Sequence, residues 1–193
     1  MDKNTDIDKI EFTIFDTETT GLEFNSGDRI VELAAVRFKG EDKISLFESL
    51  INPGRPVSKE AFNVNKISAE MLLSAPSPKE VIPKFMDFIR GSCLCSYNAG
   101  FDLGFLNNEL RLLGIDEIKD PFVVDILKMA RRTISGLKCY PLWFVAQTLR
   151  IKIKQKHRAL SDVELTREVF YSLQSIVKAR INQPLKLENI INI

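Results

Sequence analysis

The chain has 193 residues, 45% apolar and 27% charged, a balance that suits one soluble globular domain with a substantial core. No apolar run approaches the roughly 18 residues of a membrane span, and the polar start MDKNTDIDK lacks the apolar segment of a secretion signal, so a cytoplasmic protein with no membrane partner is expected. Three cysteines (Cys93, Cys95 and Cys139) and one histidine argue for reduced thiols and against a structural zinc site. The net charge of +1 hides an asymmetry: residues 126 to 158 hold nine Lys or Arg and no acid, leaving 18 basic against 26 acidic residues, or −8, elsewhere. Such a basic edge suits a polyanion, and equally a solvated charged surface.

Residues 1–9 read as an N-terminal extension. Glu11 to Phe15 is rich in strand-forming residues, and alternation along a strand places Phe12, Ile14, Asp16 and Glu18 on one face. The stretch DTETTG is either an ordinary Asp-Thr-Gly turn or two carboxylates awaiting a cation such as Mg²⁺ or Mn²⁺. Arg29 to Phe38 and Lys43 to Leu50 read as two further strands around the turn Lys39-Gly40-Glu41-Asp42, which predicts an antiparallel meander.

INPGRPVS punctuates the chain before a helical stretch near 58 to 73, and SAPSP leads into an amphipathic helix at about 78 to 89. A short strand at 93 to 97 precedes a helix near 100 to 113. PFVVDIL gives a strand that runs directly into a helix, followed by helices around 140 to 149 and 159 to 178 and a tail over 181–193. The main domain is thus expected over 10–180, an α/β mixed sheet flanked by helices.

Two helices carry acids where apolar residues belong. At 100° per residue, Val169, Leu173 and Ile176 lie within about 40° of Asp162, while Glu164, Arg167, Gln174 and Lys178 face the other way. Asp102 repeats the pattern, with Phe105, Leu106 and Leu113 within about 60° of it. Each acid lies near a helix start, so a capping role and a metal-binding role both remain open. His157 falls five residues before Asp162 in HRALSD and places an imidazole of near-neutral pKa beside that helix.

The ordered set FDTETTG, IVELAAV, INPGRP, NAGFDLGFL and HRALSD resembles the DnaQ-like family, the DEDD-type exonucleases with a catalytic histidine. Its members include the proofreading ε subunits of bacterial DNA polymerase III and the exonuclease domains of Gram-positive replicative polymerases. The resemblance implies an RNase H-like fold with a five-stranded mixed sheet, antiparallel first and then parallel. It implies that Asp16, Glu18, Asp102 and Asp162 hold two divalent ions, Mg²⁺ or Mn²⁺, and that His157 is the general base. Thr19, Thr20, Gly21 and Leu22 would hold the terminal nucleotide, with Asn98 and Phe101 nearby.

The implied reaction is 3′→5′ hydrolysis of single-stranded or frayed DNA to 5′-mononucleotides, in proofreading or repair and with a possible DNA polymerase partner. RNA 3′-end trimming is the alternative substrate. A non-catalytic binding module would have lost a metal carboxylate, and none is missing. The pattern departs from the family at Asn65, in Val64-Asn65-Lys66 where Val-His-Gly is common, and at Tyr97, where His often precedes Asn-Ala.

Overall fold

The computed structural model describes residues 1–119, 122–152, 155–181 and 183–191. Strands β1 (Glu11–Thr19), β2 (Ile30–Lys39) and β3 (Asp42–Leu50) form the expected antiparallel meander, and β4 (Cys93–Ser96) and β5 (Val124–Asp125) extend it in parallel on the other edge of β1. The sheet order is β3-β2-β1-β4-β5. β1 runs beyond the predicted Phe15 because its pairing with β2 continues through Asp16↔Ala34 to Glu18↔Glu32, and only then does the register shift. The two acids of β1 therefore sit on paired, rigid backbone, and no turn holds them.

Helices cover both faces, as the resemblance implied. Even-numbered residues of β1 and β2, among them Phe12, Ile14, Ala34, Val36 and Phe38, pack against α5 (Ile126–Thr133), α6 (Leu142–Thr148) and α7 (Ala159–Arg180). Odd-numbered Phe15, Leu33 and Ala35 pack against α3 (Pro78–Ile89) and α4 (Ala99–Leu112). Phe170 of α7 meets Phe12 edge-on at 5.3 Å and Phe38 at 6.3 Å between ring centroids, which pins the helix across the two central strands. Inter-strand pairing and this ring contact fix where the first turn of α7 can lie.

The helical stretch expected near 58 to 73 is two short helices, α1 (Lys59–Asn65) and α2 (Ala69–Leu73). Lys66 adopts the left-handed conformation at φ 59° and closes α1, and Ser68 opens α2 by accepting from the Met71 N–H. Only the Ser68 cap has a counterpart in the string NKIS, and apolar spacing alone runs across it.

The terminal segments lie side by side. Ile7 N–H donates to the Leu185 carbonyl and Leu187 N–H to the Thr5 carbonyl, both at 3.0 Å, and Leu185, Leu187 and Ile190 of the last segment, which includes α8 (Glu188–Ile191), are buried in the main core. No helix among the described residues is long and apolar enough to cross a membrane. Leu187→Ala should lower unfolding stability by about 2–4 kcal/mol, measured by urea denaturation, whereas a loosely attached segment would give a change under about 0.5 kcal/mol.

Candidate active site

The structure brings Asp16 and Glu18, at the end of β1, together with Asp162 in the first turn of α7. One carboxylate oxygen from each lies within 4.8 Å of the others. Asp162 is buried, and Asp16 and Glu18 are half-buried. Burial and the charges of Asp102, Glu18, Asp162 and Glu32 push the Asp16 carboxyl well above the usual range. Burial, then Asp162 and Glu32, raise Glu18 to about 8. Asp162 is raised by burial as well, against hydrogen bonds from Gln155 Nε2 at 2.7 Å and the Lys156 N–H at 3.3 Å. Three acids held this close are stable as anions only beside a cation, and an all-oxygen donor set suits a hard divalent one.

Asp102 approaches from the opposite layer, at the start of α4, and its two oxygens are otherwise engaged. Oδ1 accepts from the Thr17 N–H at 3.0 Å and the Thr17 hydroxyl at 2.8 Å, and Oδ2 accepts from Ser96 Oγ. Burial lifts this carboxyl to about 6, and the same three donors restrain the rise. Asp102 thus contributes a fixed charge next to Asp16 without joining the three-oxygen cluster.

His157 is exposed, with Nδ1 4.0 Å from Asp162 Oδ2 and a left-handed backbone at φ 53°. Such a conformation costs a non-glycine residue on the order of 1 kcal/mol and needs support from its neighbours. That support comes from Glu32, a residue the sequence reading passed over. Its buried carboxylate accepts from Arg158 Nε at 3.0 and 3.1 Å, from Arg158 Nη2, and from the Ala159 N–H at 2.9 Å. The two residues after His157 are therefore clamped to the central sheet. The parity of IVELAAV held the clue, since Glu32 shares a face with the apolar Ala34, Val36 and Phe38.

A cavity of about 460 Å³ opens beside Glu18, lined among others by Thr19, Gly21, Leu22, Val64, Asn65 and Phe101. Leu22 is 75% exposed at its mouth. A Cβ on Gly21 would collide with the Asp28 carboxylate, which the Thr20 hydroxyl and the Glu23 N–H hold in place. Thr20 does not line the cavity: it is buried, with its hydroxyl donating to Asp28 Oδ1 at 2.8 Å and accepting from the Arg29 N–H. Asn98 faces a different cavity, beside Asp16 and Asp162.

The two unusual positions also have structural partners. Asn65 bridges the Thr19 carbonyl and the Ile67 N–H, and Tyr97 donates its hydroxyl to the Tyr140 carbonyl at 2.6 Å. Both side chains brace the loops that frame the carboxylates.

A family profile described as Exonuclease matches residues 13–170, the span that contains every one of these acids. The chain belongs to the exonuclease family. It is 36% identical to the PolC-type DNA polymerase III of Caldanaerobacter subterraneus subsp. tengcongensis over 163 residues, covering 84% of the chain and 11% of the polymerase. It is 36% identical to a DNA polymerase III subunit epsilon-like protein of Rhodobacter capsulatus over 180 residues, covering 91% of the chain and 25% of that protein. The chain thus spans only about a tenth of the PolC-type relatives it matches.

Among solved structures, exonuclease X in complex with 5′ overhanging duplex DNA superposes with a TM-score of 0.71 at 25% identity, covering 94% of this chain and 98% of that one. The zinc-bound complex of E. coli exonuclease I with single-stranded DNA gives 0.74 at 18% identity, covering 89% and 41%. A 3′-exonuclease that recognises a histone mRNA stem-loop gives 0.69 at 17%, covering 90% and 67%, a likeness of fold alone. The expected RNase H-like exonuclease architecture is present.

Two outcomes follow from the charge cluster. Carboxyls raised in the folded state favour folding while protonated, so the cluster's contribution to stability is full below the ordinary value near 4.5 and is lost as pH rises through about 8. Thermal melts in EDTA should therefore show this loss, and a divalent cation should reverse it. Arg158→Ala leaves Glu32 buried without its partner and should cost roughly 2–3 kcal/mol by denaturant titration, below the roughly 3–5 kcal/mol of a fully buried pair because the guanidinium is partly exposed.

Proposed function

We propose that this chain is a two-metal 3′→5′ exonuclease that releases 5′-mononucleotides from single-stranded or frayed DNA, in proofreading or repair. The reading is carried by the convergence of Asp16, Glu18 and Asp162, with oxygens within 4.8 Å of one another. The polymerase relatives favour DNA over RNA and a polymerase partner. A cytoplasmic setting accords with three free thiols.

Two divalent ions, Mg²⁺ or Mn²⁺, would supply positive charge at the phosphodiester and acidify water bound to them. Asp16, Glu18 and Asp162 would hold one, and Asp16 with Asp102, acting through water, the other. The hydrogen bonds from Thr17 and Ser96 hold the Asp102 carboxylate in one orientation, which suits a group that acts on water. His157 takes a proton from the attacking water as the water oxygen bonds to phosphorus, and the bond from phosphorus to the 3′ oxygen breaks, that oxygen keeping the bonding pair and taking a proton from solvent to become the new 3′ hydroxyl. Exposure of the ring lets it pass that proton to solvent, and the clamp on Arg158 and Ala159 keeps it in reach. The terminal base rests against Leu22, Val64 and Phe101.

Asp16→Asn should abolish turnover while leaving the fold intact, and it should raise the melting temperature of the metal-free protein at pH 8 because one repelled charge is gone. Cleavage that survives excess EDTA would overturn the two-metal reading. His157→Ala should lower kcat on the order of 10²-fold with far smaller effects on metal and nucleotide binding. Matched DNA and RNA oligonucleotides decide the substrate: a kcat/KM for RNA about tenfold or more above that for DNA would assign the chain to RNA trimming.

A further inference from the structure

Beyond the terminal cavity, one further cavity adjoins the carboxylates and a second continues from it. The first, of about 430 Å³, runs from Asp16, Asn98 and Asp162 to Leu142 and Trp143 and shares no lining residue with the cavity at Leu22. The second, of about 650 Å³, is lined by Trp143, Gln147, Arg150, Lys152, Gln155 and His157, among others. Trp143, Gln155 and His157 border both, so the two form one trough that leads away from the carboxylates and is separate from the cavity at Leu22.

Trp143 is the sole tryptophan of the chain and is 51% exposed. Phe144 meets it edge-on at 5.4 Å between ring centroids, an arrangement that braces the indole from the side. Arg150 and Lys152 are exposed, and among the described residues no acid lines the second cavity and neither cation forms an ion pair. An exposed indole flanked by unpaired cations has the chemistry of a single-strand site, with a flat ring for a base and positive charge for the backbone.

Resting on the exonuclease reading above, we propose that Trp143 is a stacking platform for a base on the 5′ side of the scissile phosphate, with Arg150 and Lys152 neutralising the phosphates beyond it. With the terminal nucleotide in the Leu22 cavity and the scissile phosphate over Asp16 and Asp162, the remaining strand leaves along this trough. The occupant is single-stranded nucleic acid, and its contribution grows with oligonucleotide length and falls with salt.

Because Trp143 is the only tryptophan, the emission of the protein reports on this position directly. The inactive Asp16→Asn protein is titrated with an end-labelled single-stranded DNA about a dozen nucleotides long and, separately, with thymidine 5′-monophosphate. Anisotropy of the label follows binding, and tryptophan emission follows stacking. Emission should be quenched by the oligonucleotide and not by the mononucleotide. In active protein, Trp143→Ala should raise KM for the oligonucleotide about tenfold while hydrolysis of the p-nitrophenyl ester of thymidine 5′-monophosphate, which has no base on the 5′ side, stays within about twofold, and Trp143→Phe should recover most of the loss.

Oligonucleotide binding with unchanged emission would overturn the platform alone, and so would an equal loss on both substrates. Failure of the oligonucleotide to bind at all would overturn the exonuclease reading from which the platform is drawn. The trough would then be left to a protein partner.

Discussion

Five carboxylates that repel one another occupy the end of strand β1, and the surrounding structure is organised to hold them there. Asp16 is opposed by the charges of Asp102, Glu18, Asp162 and Glu32, and the one guanidinium that lowers the Glu18 carboxyl, that of Arg158, is bound to Glu32. Left to local forces, the acids would separate or protonate. They stay together because each is anchored in something rigid: β1 is paired on both sides, α7 crosses the central strands through Phe170, and α4 packs on the other face. The core stabilises the fold, and part of that stability is expended on a local arrangement that is unfavourable without a cation.

The five acids divide by how they are satisfied. Glu32 and Asp102 receive protein donors at both oxygens, so both carboxylates are held in one orientation by the protein alone. Asp162 has two donors, Gln155 and the Lys156 N–H, both from the segment that precedes α7. Asp16 and Glu18 project from adjacent turns of the pleat into the open space between cavities. The satisfied acids orient the frame, and the open ones have oxygens left for a cation. Glu32 also links the two tasks, since the carboxylate that adds charge near the cluster is the one that holds the residues following His157.

How much of this was legible depended on whether a residue contradicted its surroundings. Asp162 stood out because a helix has a measurable apolar stripe and an acid sat in the middle of it. Thr17 and Ser96 gave no such signal, since each is an ordinary strand residue whose role exists only once β1, β4 and α4 are side by side, and Gln155 is an ordinary loop residue whose role exists only once its segment folds back on the first turn of α7. Thr20 shows the reverse case: it belongs to a recognisable string, yet its hydroxyl serves Asp28 and Arg29. The break between α1 and α2 was likewise hidden, because a left-handed Lys66 is a matter of backbone conformation and its side chain looks like any helix former.

The charges on either side of the carboxylates differ in a way that bears on the direction of attack. Glu18, Asp28 and Glu60 border the cavity at Leu22, whereas Arg150 and Lys152 border the trough at Trp143. On the proposed reading, the last nucleotide of a strand enters the first cavity with a free 3′ hydroxyl, a group that can donate to a carboxylate. A strand that continued past the cavity would bring a further phosphate against those acids, where repulsion in a partly dry site costs more than in bulk water. The upstream strand carries one phosphate per nucleotide and meets cations. On that reading, the asymmetry of charge across the carboxylates favours the end of a chain over its interior before any base is read.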